Sequence, residues 1–143
     1  MSKILLTLSL LVSVAFLIHA QAVENQPAAS EQAQSAGAVK KVVICSGIES
    51  REPADDLSQV DASMSRVYCW TNIQLNATPA LVKHVWYADG THVGEVSLNI
   101  KGSPWRTWSS KNVWPGQWKV EVQSETGEVL ASKEFQVSRS PAN

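Results

Sequence analysis

The chain has 143 residues, with 12 Lys and Arg against 13 Asp and Glu. That is enough for one domain of ordinary size, and the charge is too even for nucleic acid, whose phosphates select basic faces. Six Trp stand beside only two Phe and two Tyr, and there are two Cys.

Lys3 precedes an apolar run from Ile4 to Ile18, and Ala20-Gln21-Ala22 follows with the small-x-small pattern that signal peptidase accepts. The run is short for a bilayer span, which needs roughly 20 residues. Residues 1–22 therefore read as a cleaved secretory signal, with an uncleaved anchor as the alternative. Cleavage removes Lys3 and no acid, leaving eleven basic and thirteen acidic side chains, net −2. That balance makes no case for an anionic membrane surface, and no membrane span is expected after cleavage. The expected location is periplasmic or secreted.

Residues 23–38 (VENQPAASEQAQSAGA) carry no aromatic residue and no periodic apolar face, the composition of a flexible linker. Residues 39–137 read as the folded domain and 138–143 as a polar tail. Strand patterns follow one another: KKVVICS, RVYCWTNIQL, LVKHVWY, HVGEVSLNI, PWRTW, GQWKVEV and EVLASKEFQV. Asp89-Gly90 between the third and fourth is a strong hairpin signal, and Ser124 to Gly127 makes the last turn. Seven strands in about a hundred residues predict an all-β antiparallel sandwich of immunoglobulin-like type, with a barrel as the alternative.

Cys45 and Cys69 form an even pair without C-x-x-C spacing, which predicts one structural disulfide in an oxidising compartment. Two free buried thiols are the alternative. The pair offers too few ligands for zinc. Asn76-Ala77-Thr78 fits a glycosylation acceptor, relevant only to a eukaryotic secretory route.

If Asp89 and Gly90 are the turn residues, hairpin partners sum to 179. Tyr87, Val85 and Lys83 then share the core face with Val96, Leu98 and Ile100, while His84 and Trp86 face solvent. Strand alternation likewise places Tyr68 and Trp70 outward. Around PWRTW it places Trp105 inward, Arg106 and Trp108 outward, and Lys111 near them. Trp118 alternates with Val120 and Val122 in the core, and Trp114 belongs to a turn. His84 and His92 point to opposite faces without a third ligand, so no metal is expected, and no motif calls for a cofactor. Ser109 and Ser110 sit outside any G-x-S-x-G elbow, so no catalytic residues are expected. The expected binding patch is His84, Trp86, Arg106, Trp108 and Lys111. Its bland alternative is that the tryptophans are packed by the protein's own loops.

ESREP (49–53), RVYCWTNI (66–73), HVWYADG (84–90), PWRTWSSKN (104–112), GQWKVEV (116–122) and GEVLASKEFQV (127–137) together resemble a bacterial domain-of-unknown-function family, number 2914. Its blocks recur in this order over about residues 42–137. The resemblance implies an exported or membrane-tethered protein of Gram-negative bacteria and no assigned activity. Matching positions include Arg51, Glu52, Pro53, His84, Trp86, Trp105, Arg106, Trp108, Ser109, Ser110 and Lys111. The expected function is a non-catalytic binding or accessory module of the cell envelope, contacting glycan, peptide or an envelope protein. The alternatives are a purely structural module and a cell-wall hydrolase, which would need His84, Ser109 or Asp89 to converge in a cleft.

Overall fold

A computed structural model describes residues 38–139. The predicted signal peptide, the linker up to residue 37 and the tail from residue 140 lie outside the described residues. The described residues are all-β, with ten strands: β1 (Ala38–Cys45), β2 (Ile48–Glu49), β3 (Glu52–Pro53), β4 (Gln59–Asp61), β5 (Arg66–Gln74), β6 (Ala80–Ala88), β7 (Thr91–Ile100), β8 (Trp105–Asn112), β9 (Gly116–Ser124) and β10 (Val129–Ser138). The seven strands read from the sequence are β1 and β5 to β10. The three short ones lie between the first two of these, in a stretch that carries no strand pattern in the sequence. Strands β1 and β10 each reach one residue beyond the expected domain limits of 39–137.

Two sheets rather than a closed barrel carry the fold. One has the order β1-β5-β8 and the other β4-β10-β9-β6-β7, while β2 and β3 form a small hairpin of their own. All pairings are antiparallel except that of β4 with β10. The core lies between the two sheets. Ile44, Val67, Cys69 and Ile73 come from the three-stranded sheet, and Val82, Trp86, Trp118, Val120, Val122, Phe135 and Ile100 from the five-stranded one. Each fully buried aliphatic or Phe side chain contributes roughly 1.5–3 kcal/mol. Alternation on β9 buries Trp118, Val120 and Val122 and turns Gln117, Lys119 and Glu121 outward, as the sequence pattern predicts.

The β6–β7 hairpin keeps its expected turn and loses its expected register. Asp89 (φ 48°) and Gly90 (φ 77°) both have the left-handed conformations of a two-residue type I′ turn, and Tyr87 pairs with His92. Beyond that pair Val93 is an extra residue, a β-bulge. Trp86 then pairs with Gly94, His84 with Val96 and Val82 with Leu98. Leu98 and Ile100 do face the core, but the bulge makes Val82, His84, Trp86 and Ala88 their companions instead of Lys83, Val85 and Tyr87. The expected solvent positions of His84 and Trp86 are thereby corrected, because one inserted residue exchanges the faces of the strand.

Gly94 (φ 156°) follows the bulge, and a Cβ there would lie 3.0 Å from Lys111 Nζ. Gly116 (φ 153°) opens β9 beside the turn, where a Cβ would lie 2.7 Å from Asp89 Oδ2. The Asp89 carboxylate accepts the Gln117 backbone N–H at 2.9 Å and so pins the turn to β9.

Cys45 and Cys69 are free and buried. Cys69 stands opposite Ile44 in the core-facing row, while Cys45 stands opposite Tyr68 on the outer face. Side chains on opposite faces of one sheet cannot approach to disulfide distance, so the expected bridge is replaced by two separate thiols. Burial pushes the Cys45 thiol up to about 11, and the nearby Asp55 adds to the effect. Burial raises Cys69 further, with Cys45 adding to it.

Candidate functional site

The expected patch separates into an interior cluster and an outer face. The interior cluster joins the two sheets. His84 and Trp86 come from β6, Thr71 from β5 and Ser109 from β8. His84 and Trp86 are both 0% exposed. Trp86 Nε1 donates to Ser109 Oγ at 3.3 Å, and His84 Nδ1 lies 2.8 Å from the same oxygen. His84 Nε2 lies 3.3 Å from Thr71 Oγ1, which donates to the Thr107 carbonyl at 3.3 Å.

One tautomer satisfies every atom. An indole N–H can only donate and a carbonyl can only accept. The Ser109 hydroxyl therefore accepts from Trp86 and donates to His84 Nδ1. His84 Nε2–H donates to Thr71, whose hydroxyl passes its hydrogen to Thr107. Protonating Nδ1 would leave the Ser109 hydrogen without an acceptor. Burial away from water lowers the His84 pKa to about 4, so the ring is neutral near pH 7. Ser109 and His84 thus stand at the distance of a nucleophile and its base, but both are closed off from solvent. Asp89 is elsewhere, bonded to Gln117.

Lys111 also departs from the outer patch. Its row, Val67 with Lys111, faces inward, and Nζ donates at 2.5 Å to the Val93 carbonyl exposed by the bulge. It ties the edge of one sheet to the edge of the other.

The outer face of the three-stranded sheet keeps Arg106 and Trp108. Direct cross-strand partners form two rows there, Val43–Trp70–Trp108 and Lys41–Asn72–Arg106. The β2–β3 hairpin lies over the first row: Ile48 packs on the buried cluster of Val43, Cys45 and Trp70, against which Trp108 also packs, and the Arg51 carbonyl accepts Trp70 Nε1–H at 2.8 Å. Trp70 is outward as expected, yet buried by this cover, and Trp108 is half-buried. The hairpin turn is strained, with Ser50 (φ 50°) and Arg51 (φ 67°) left-handed although neither is glycine. Such residues cost on the order of 1–3 kcal/mol each and persist where surrounding contacts fix them.

Those contacts converge on Arg51. Its guanidinium donates to the Arg106 carbonyl at 3.2 Å and lies 5.8 Å over the Trp105 ring. Glu52 pairs with Arg106 Nε at 2.8 Å. Arg51, Asn72, Pro104, Trp105 and Arg106 line a hollow of about 380 Å³, within the size range of small-molecule pockets. Arg51, Asn72 and Trp105 were absent from the expected patch. The resemblance already marks Arg51 and Trp105 as signature positions, whereas Asn72 becomes visible only through its register between Lys41 and Arg106. Trp105 packs against the core cluster of Ile73 and Leu75, as alternation predicts. Trp114 is 46% exposed before β9, its ring edge-on to Trp118 at 4.7 Å.

No curated protein matches the chain. Residues 79–137, which carry β6 to β10, match the family described as Protein of unknown function (DUF2914). The blocks HVWYADG, PWRTWSSKN, GQWKVEV and GEVLASKEFQV all fall inside that match, which supports the resemblance of the chain to this family of unknown function.

Proposed function

We propose that the chain is an exported, non-catalytic binding or accessory module of the bacterial cell envelope, built on an immunoglobulin-like sandwich. Its contact surface is the outer face of the three-stranded sheet, around Arg51, Arg106 and Trp108. The secretory character of residues 1–22 and the family resemblance support the location. One observation carries the surface: a strained hairpin holds the Arg51 guanidinium beside exposed Arg106, although burying Trp70 requires only the Arg51 carbonyl. Positioning an exposed cation at the expense of backbone strain suits recognition better than stability.

The test is retention of envelope components by the wild-type protein, by Arg106→Gln and by Trp108→Ala. Binding predicts that both folded variants lose a retained component. Equal retention by all three sinks the reading.

A purely structural module is the second reading, favoured by the packing of Ile48 and Trp108 on the buried cluster of Val43, Cys45 and Trp70. It predicts that Trp108→Ala lowers Tm and changes no retained partner.

A further inference from the structure

The hollow above Asn72 is bordered by unusual chemistry. Asn72 Oδ1 is buried and has no hydrogen-bond partner. A buried polar atom without a partner costs free energy, and native structures carry few of them. This one stands in a row with a cation on either side, Lys41 across from it on β1 and Arg106 on β8, both exposed. Directly opposed side chains have Cβ atoms about 5 Å apart. Arg51 adds a third cation at the rim. Glu52 is the acid paired within this group, through an exposed contact of the kind worth about 0–1 kcal/mol.

The other outer face contrasts with it. On the five-stranded sheet, Glu121 accepts from Lys119 at 2.6 Å, from Gln123 at 2.8 Å and from Tyr87 at 3.3 Å. There the polar groups satisfy one another.

We propose that the hollow formed by Arg51, Asn72 and Arg106 binds a hydroxylated anion of about one sugar unit, a uronate or a sugar phosphate. This rests on reading the outer face of the three-stranded sheet as the contact surface, and it names the ligand class. The guanidiniums of Arg51 and Arg106 line the hollow and Lys41 stands next to Asn72. Together they outnumber Glu52 and the Glu49 opposite it across the hairpin and select an anion, and a planar guanidinium fits carboxylate and phosphate alike. The unpaired acceptor requires a donor. An ammonium donor is disfavoured among three cations, so the donor is a neutral hydroxyl. A peptide strand is less suited, because strand addition needs free main-chain groups and the Arg106 carbonyl is already taken by Arg51. Oδ1 is closed to solvent before binding. Entry therefore draws Arg106 from Glu52 to the ligand anion, and a ligand hydroxyl then donates to Oδ1.

The experiment titrates the exported protein with glucuronate, glucose 6-phosphate, glucose and acetate, following tryptophan fluorescence and the Asn72 side-chain amide resonances. Glucuronate, glucose 6-phosphate or both should bind at least about tenfold more tightly than glucose or acetate, and the tighter of the two identifies the acid. Arg51→Gln and Asn72→Ala should each weaken that binding about tenfold, the loss of one charge-assisted or buried hydrogen bond. Glu52→Gln should tighten it, since the competing carboxylate is gone, an outcome a purely structural role does not produce. Far-ultraviolet circular dichroism verifies that each variant is folded.

Absence of saturable binding by either anionic sugar overturns the proposal, as does glucose binding equally well or Asn72→Ala binding like wild type. An envelope component lost by Arg106→Gln, together with no response to either anionic sugar, removes the ligand class and leaves the contact face standing. Equal retention by every variant removes the face itself.

Discussion

Two polar clusters built partly from the same signature blocks meet opposite fates. Between the sheets, Trp86, Ser109, His84, Thr71 and Thr107 form a closed series in which every donor has an acceptor. On the outer face, Lys41, Asn72 and Arg106 form a row with one acceptor left over. The first arrangement locks two sheets in one orientation, since a polar group half satisfied in low dielectric costs more than an apolar one. The second leaves chemistry unfinished at the surface. Signature residues of a family therefore divide between holding the fold and facing outward, and burial with hydrogen-bond completeness separates the two roles.

Mutations should break this contrast with opposite signs. Trp86→Ala empties one of the two largest fully buried side chains and should cost about 3–5 kcal/mol. In urea denaturation this appears as a lower midpoint, and a change below about 1 kcal/mol would mean that the ring is not core.

Acid should act on the interior cluster next. The unfolded His84 titrates near 6.5 and the folded one at about 4, so the unfolded state binds more protons between them. This contribution to stability is complete above about pH 6.5 and falls as pH drops toward 4, by about 3 kcal/mol. Comparing denaturation of wild type and His84→Gln from pH 7 to 4 isolates it: the variant is less stable at pH 7 and lacks this part of the acid slope.

Ser109→Ala should cost about 2–3 kcal/mol, because it strands the Trp86 N–H and His84 Nδ1 in the interior. Asn72→Val, the smallest effect, should be neutral or stabilising by about 1 kcal/mol, since it removes an unpaired acceptor and adds a β-branched residue to a strand. Loss of stability in that variant would show that Asn72 is satisfied in the folded protein.

Much of this division could be read from the residues. On β8 the alternation of Trp105, Arg106 and Trp108 gives their faces correctly, because the strand pairs with β5 without interruption. Trp118 and the Asp89-Gly90 turn are equally legible. The faces of β6 are not, because plain alternation across Val93 treats β7 as regular, whereas the hairpin carries a bulge there. An isolated glycine inside a strand, here Gly94, is the available sign of a bulge.

The cysteines fail for a different reason. An even count argues for pairing, but no short turn fixes the register of β1 against β5, and register decides whether Cys45 and Cys69 share a face. The β2–β3 cover was hidden because two-residue strands leave no periodicity. They exist through contacts with Trp70, Arg106 and Trp105, all distant in the chain. Asn72 is an ordinary polar residue until its neighbours across the sheet are known.

The Lys111 contact with the Val93 carbonyl has a consequence for how the hairpin keeps its frame. Removing Val93 would shift every later residue of β7 by one place, as a deleted letter shifts a reading frame, and would present Leu98 and Ile100 to water. The ammonium of Lys111 works as a proofreader of that frame. The bulged alignment offers it this carbonyl, and glycine at position 94 keeps its Nζ clear of the Cβ that would otherwise lie 3.0 Å away. A slipped hairpin would leave a half-buried cation without its acceptor, so the wrong alignment is penalised twice, once in apolar exposure and once in charge.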